Sequence, residues 1–156
     1  MSNTPRNFMD LFREAGINIE TLWSTALELH SKHPFWSEEQ LKGLFFNYIS
    51  IYSKDINVNS VIFAAFELEK LGSCGAIFGL SKEDFEQDPV HLLADEMLGI
   101  ALSQYISGTK GVFNFTRYDR KKPGILKKLG PFIDDIVAAL IGSIMSNIYT
   151  KLLEEP

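Results

Sequence analysis

The chain has 156 residues, of which 46% are hydrophobic and 22% charged, with a formal net charge of −5. These values suit one compact globular domain spanning residues 1–156 and exclude a disordered or wholly membrane-embedded polymer. Lys110 to Lys128 carries seven cations against the single acid Asp119, so that segment is +6 and the rest of the chain −11. An acidic protein with its cations gathered in one place lacks the basic face that nucleic-acid binding needs, and a small anionic ligand fits it better.

Asn7 to Glu14 reads as a short helix ended by Gly16, and Asn18 caps a second, Ile19 to Ser31, stopped by Pro34. Ser37 with Gln40 forms a capping-box start for Glu38 to Ile51, where Leu41, Leu44, Phe45, Tyr48 and Ile49 recur at helical spacing. Asn57 or Asn59 opens a helix over Ser60 to Leu71. Gly72, Gly75 and Gly79 then mark an irregular passage, and Ser81 to Glu86 adds one turn. The lone cysteine, Cys74, excludes an intramolecular disulfide and a thiolate zinc cage, and reads as a small core residue.

Pro89 precedes a long helix, Val90 to Ile106, terminated by Gly108, after which Gly108 and Gly111 open a basic loop. Val112 to Thr116 is the one stretch with β-like alternation. A final helix over Pro131 to Leu153 is apolar nearly all round and is therefore predicted to be central. The result is an all-α, single-domain array of about six or seven helices. Arg6, Asp10, Arg13 and Glu14 stand where a secretory signal would need an apolar run. The longest uncharged run, Ile136 to Thr150, is 15 residues, too short for a straight span. A cytoplasmic location with at most peripheral membrane contact is expected, and a homo-oligomer is compatible.

Two helices share a pattern. Asp95, Gly99 and Ser103 form a small-residue stripe headed by a carboxylate, as do Asp135, Ala138, Ala139, Gly142 and Ser146. Packing of one stripe on the other would bring Asp95 near Asp135. Acidic pairs at helix starts are often no more than favourable with the helix dipole. Here Asp95-Glu96 and Asp134-Asp135 each lead into an apolar helix, and carboxylates entering a core call for a cation or ionic partner. Neighbouring helical residues point about 100° apart, so one member of each pair is free to take the metal directly. With Asp119 these make five acids able to surround a hard cation.

The basic run is in part an ordinary solvated face, but Lys122-Pro123-Gly124 specifies a turn, and Asp119 stands three residues before Lys122 to orient it or add an oxygen ligand. His30 and His33 read as solvated surface, and His91 as support for Asp95 rather than a ligand. No Walker A, Rossmann, G-x-S-x-G or Cys-x-x-Cys motif is present.

Three blocks in order, L-A-D-E-M-L-G-I-A-L, F-N-F-T-R-Y-D-R-K-K-P-G-I-L and I-D-D-I-V-A-A-L, resemble the phosphatidylglycerophosphatase A family, in particular its short soluble Gram-positive branch. The family motifs fall in residues 91–150, and I-N-V-N-S-V-I-F-A-A-F-E-L-E-K-L is a looser match upstream. The resemblance implies an all-helical fold with a central helix and a magnesium-dependent phosphatase that releases phosphate from phosphatidylglycerophosphate. It assigns Asp95, Glu96, Asp134 and Asp135 to Mg2+ and Asp119 with Lys122 to the catalytic, phosphate end. Arg120 is a further phosphate-binding candidate from the basic run, outside the matched motif positions. Water activated on the metal is the preferred nucleophile, with an aspartyl-phosphate at Asp119 left open. The membrane helices of the family's other branch are missing, and a soluble relative acts on α-ribazole phosphate. The partner is thus a lipid headgroup or a phosphorylated small molecule, and a non-enzymatic helical interaction domain is the rival reading.

Overall fold

In a computed structural model, which describes residues 4–32 and 34–154, five helices start at side-chain caps. Asn7, Asn18, Ser37, Asp55 and Ser81 accept backbone N–H bonds and open α1 (Phe8–Glu14), α2 (Ile19–Glu28), α3 (Glu38–Tyr52), α4 (Ile56–Ser73) and α5 (Lys82–Glu86). They are followed by α6 (Ala94–Ser107), α7 (Thr109–Lys121), a 3-10 turn (Gly124–Lys128) and α8 (Pro131–Glu154). The fold is all-α, as expected, with eight α-helices among the described residues. The β-pairing there is a single isolated bridge, Ile77 to Leu80.

Several boundaries differ from the sequence reading for identifiable reasons. Asp55, not Asn57 or Asn59, caps α4, its Oδ1 accepting from the Asn57 and Val58 amides at 2.7 and 3.1 Å. Asn59 instead ties α1 to α4 by accepting the Phe8 amide at 2.7 Å. Helix α2 ends at Glu28, three residues short of Ser31, and α6 begins at Ala94 because Val90 and His91 form a turn. Cys74 is exposed at the end of α4, not in the core. His30 is half-buried and stacked on Tyr149, its Nδ1 2.7 Å from the phenol oxygen, whereas His33 lies outside the described residues.

The largest correction concerns the expected basic loop, which is the helix α7. Gly111, Asn114, Phe115 and Tyr118 recur at i, i+3, i+4 and i+7 and form its buried face. Phe113 and Phe115, the apparent alternation, point to opposite surroundings: the first is 71% exposed and the second buried. Gly108, at φ +67°, is the single residue between the end of α6 and the start of α7.

Helix α8 runs through the middle, as predicted, with Phe132, Ile136, Leu140, Ile144 and Ile148 buried and α2, α3, α4, α6 and α7 packed around it. By length and composition it could cross a membrane, yet most of it is buried inside the protein. The small-residue stripes meet around α7 and not simply on one another. A Cβ on Gly142 would stand 2.8 Å from the Phe115 amide nitrogen, and one on Gly99 would stand 2.5 Å from the Phe115 ring. Asn114 Nδ2 donates to the Gly142 carbonyl at 2.8 Å and Ser146 Oγ to the Lys110 carbonyl at 3.1 Å. These contacts fix the depth at which α7 lies on α8.

Candidate active site: a carboxylate centre at the start of α8

The start of α8 is held by a residue of α4. Glu69 Oε2 accepts the Phe132 and Ile133 amides at 2.8 and 3.1 Å, satisfying N–H groups that no intrahelical carbonyl can reach. A Cβ on Gly130 would lie 1.6 Å from Glu69 Oε1, so this approach requires glycine. The next residues inward, Asp134 and Asp135, are 5% and 3% exposed.

Opposite them, the last turn of α7 supplies Asp119. Oxygen atoms of Asp119, Asp134 and Asp135 lie within 4.8 Å of one another. Lys122 closes the group: its ammonium is 2.8 Å from Asp119 Oδ1, in close contact with Asp134 Oδ2, and 3.7 Å from Asp135 Oδ1. To reach there its backbone takes the left-handed conformation, φ 46° and ψ 52°, directly before a proline. That geometry costs a residue with a Cβ on the order of 1 kcal/mol or more. Helix α2 braces the turn, with Thr25 Oγ1 accepting the Ile125 amide at 3.1 Å and Glu28 Oε2 the Gly124 amide at 3.2 Å. Tyr118 donates to the Ala26 carbonyl at 2.6 Å from the preceding turn.

The electrostatics follow from burial. Desolvation raises the Asp134 pKa to about 6 despite the opposing hydrogen bond and charge of Lys122. Asp135 is raised further, by burial and then by the crowding of Asp119 and Asp134. Burial opposes the charge on Lys122, but its bonds to Asp119 and Asp134 outweigh that and hold it protonated. Three carboxylates and one ammonium sum formally to −2, the complement of a divalent cation. Asp134 Oδ1, moreover, is buried with no hydrogen-bond partner. All-oxygen donors, this charge and that orphaned atom fit a hard cation such as magnesium.

The other candidates are distributed around this centre. Asp95 is buried, and desolvation raises it to about 6 against the hydrogen bond from the Glu96 amide, with Asp88, Glu96 and Asp134 adding to the rise. It therefore flanks the carboxylate triad electrostatically without entering the tight cluster. Glu96 is exposed, the other half of a pair whose members point different ways. Arg120 is exposed on α7, and His91 is exposed in the turn before α6. A cavity of about 410 Å3 adjoins the cluster, lined in part by Glu69, Asp88, Asp134, Lys127 and Lys128.

Glu69 and Asp88 were not among the sequence candidates. A signal for Glu69 existed: it follows Val58, Ile62, Ala65 and Phe66 on the buried face of α4, where an acid is out of place. Burial raises its pKa against the two amide bonds it accepts. Asp88 carried no such signal; its φ of 49° and its effect on Asp95 emerge only in three dimensions.

Fold and site together define an all-helical protein built around a carboxylate-lined candidate cation centre. A sequence model of the family described as "Phosphatidylglycerophosphatase A" matches residues 31–150, a span that contains Glu69, Asp95, Asp119, Lys122, Asp134 and Asp135. An uncharacterized protein of Methanocaldococcus jannaschii is 33% identical over 116 residues, covering 72% of this chain and 85% of that protein. The chain belongs to the phosphatidylglycerophosphatase A family. Among solved structures, protein ypjQ from Bacillus subtilis superposes with a TM-score of 0.80 at 22% identity, covering 95% of this chain and 94% of that one. The low temperature requirement C protein from Listeria monocytogenes does so with a TM-score of 0.78 at 21% identity, covering 93% and 94%. At these identities the likeness is one of fold.

Proposed function

We propose that the chain is a magnesium-dependent phosphomonoester hydrolase acting on phosphatidylglycerophosphate. Family membership supports phosphatase chemistry, and the observation that carries the metal reading is the buried Asp119–Asp134–Asp135 cluster with its orphaned Asp134 oxygen. Magnesium, held by these three carboxylates with Asp95 alongside, supplies charge neutralisation and Lewis acidity toward a phosphate oxygen when bound. Glu96 is left out of that ligand set because it points to solvent.

The chain's own residues provide the remainder. Lys122 keeps its proton and presents a fixed positive charge in a water-poor site, where charge developing on a phosphate or its leaving oxygen is stabilised most. Asp119 orients that ammonium by its 2.8 Å bond. Lys127 and Lys128, on the adjoining cavity, draw an anionic headgroup toward Asp134, with Arg120 adding to the field on approach.

Phosphate release with and without magnesium, over phosphatidylglycerophosphate, α-ribazole phosphate and nucleoside monophosphates, tests the proposal. Turnover of the lipid that stops with chelator is expected. Preference for α-ribazole phosphate would move the substrate to a soluble monoester, and no turnover of any would favour a helical interaction domain.

A further inference from the structure

A second concave feature lies at the other end of the α7–α8 pair. A groove of about 810 Å3 runs between the first turns of α7 and the last turns of α8, a volume in the range of small-molecule sites. Tyr149, in its wall, is 15 residues along α8 from Asp134, about 22 Å at 1.5 Å per residue. Although Arg117 stands two residues before Asp119 on α7, the groove shares no lining residue with the cavity beside Asp134 and is a separate concavity. Its apolar wall includes Phe113, Tyr149 and Leu153, and two of these are unusually open: Phe113 is 71% and Leu153 85% exposed.

Three cations face this apolar surface: Lys32, Lys110 and Arg117. Among the described residues lining the groove there is no aspartate or glutamate, in a chain whose net charge is −5. Arg117 is the most telling. Its Nη1 donates to Asn114 Oδ1 at 2.7 Å and its Nη2 to the Leu29 carbonyl at 3.2 Å, so the guanidinium is fixed and half-buried. Both of these acceptors are neutral oxygens, and Arg117 forms no ion pair among the described residues. A half-buried cation without a counter-charge, beside open apolar side chains, complements a ligand that has both a tail and an anionic head.

We infer that this groove binds a single-chain anionic amphiphile, its tail along Phe113, Tyr149 and Leu153 and its carboxylate-type head against Arg117 and Lys110. The site is independent of phosphate hydrolysis, so its test does not depend on turnover. Titration calorimetry of the full chain with monomeric dodecanoate is expected to show saturable one-to-one binding, at least tenfold tighter than with uncharged dodecanol or with acetate. Lys110→Glu and Phe113→Asp, both at exposed positions, are each expected to weaken dodecanoate at least tenfold while the far-ultraviolet circular dichroism is unchanged. No saturable binding of dodecanoate would overturn the inference, as would equal binding of dodecanol or affinity unmoved by both substitutions.

Discussion

The contact that sets α7 against α8 can be probed with one methyl group. In Gly142→Ala the added Cβ would sit 2.8 Å from the Phe115 nitrogen and 2.9 Å from the Asn114 carbonyl carbon, where ordinary contacts begin at 3.4 Å. Both neighbours are backbone, so relief requires α7 to retreat by about half an ångström, stretching the Asn114 to Gly142 hydrogen bond. Overpacking of this kind costs about 1–3 kcal/mol, and weakening that bond about 1 more, against about 1 recovered from alanine's helix propensity. A net loss of about 1–3 kcal/mol lowers Tm by roughly 3–10 °C in a chain of this size. Gly43, within α3, has nothing within 4 Å of the same built atom, so Gly43→Ala is the matched control and is expected to raise Tm by roughly 2–4 °C. Paired thermal unfolding by circular dichroism checks both. A Gly142→Ala protein melting at or above wild type would refute the close approach, and with it the placement of Asp119 opposite Asp134.

Glu69→Ala removes the acceptor for two amides at the start of α8 and is expected to cost about 1–3 kcal/mol in a denaturant titration, with Glu69→Gln retaining part of it. Lys122→Met removes the cation among the carboxylates. Phosphate release is expected to fall about 100-fold or more, as for loss of a charge-stabilising group, and unchanged turnover would remove Lys122 from the chemistry. Asp95 and Asp134 are raised to about 6, and Asp135 is raised too, so the folded metal-free protein binds more protons than the unfolded chain. Their stabilisation is complete below the unfolded carboxylate range, near pH 4; that of Asp95 and Asp134 drains as pH rises through about 6, and that of Asp135 continues to drain above it. Tm in chelator should therefore fall across that window, while the gain in Tm on adding magnesium grows, which a pH series of melts reads directly.

Much of the carboxylate centre was legible in the residues. Asp134 and Asp135 enter a helix apolar on all sides, and Lys122-Pro123-Gly124 marks a specified turn three residues after Asp119. Asp95 and Glu96 split, one buried and one exposed, as the angle between adjacent helical residues requires. Both members of the Asp134-Asp135 pair are buried because α8 is enclosed by its neighbours, a property of packing and not of spacing. Helix α7 was hidden because Gly111 and Asn114 on its buried face serve close approach and a hydrogen bond rather than apolar area. Glu69 was marked by its place on the buried face of α4, but its role was hidden because its partners, the Phe132 and Ile133 amides, are 63 and 64 residues away. Cys74 and His30 show the same limit: neither residue type dictates whether the final fold covers it.

The chemistry proposed for this site requires that the three clustered carboxylates bind a divalent cation. Titration calorimetry with magnesium, on wild type and on the Asp134→Asn, Asp135→Asn double variant, tests this without reference to any substrate. Saturable binding by wild type, abolished in a double variant that remains folded, is the predicted result. Equal magnesium affinity in the two proteins, or none in either, would contradict it.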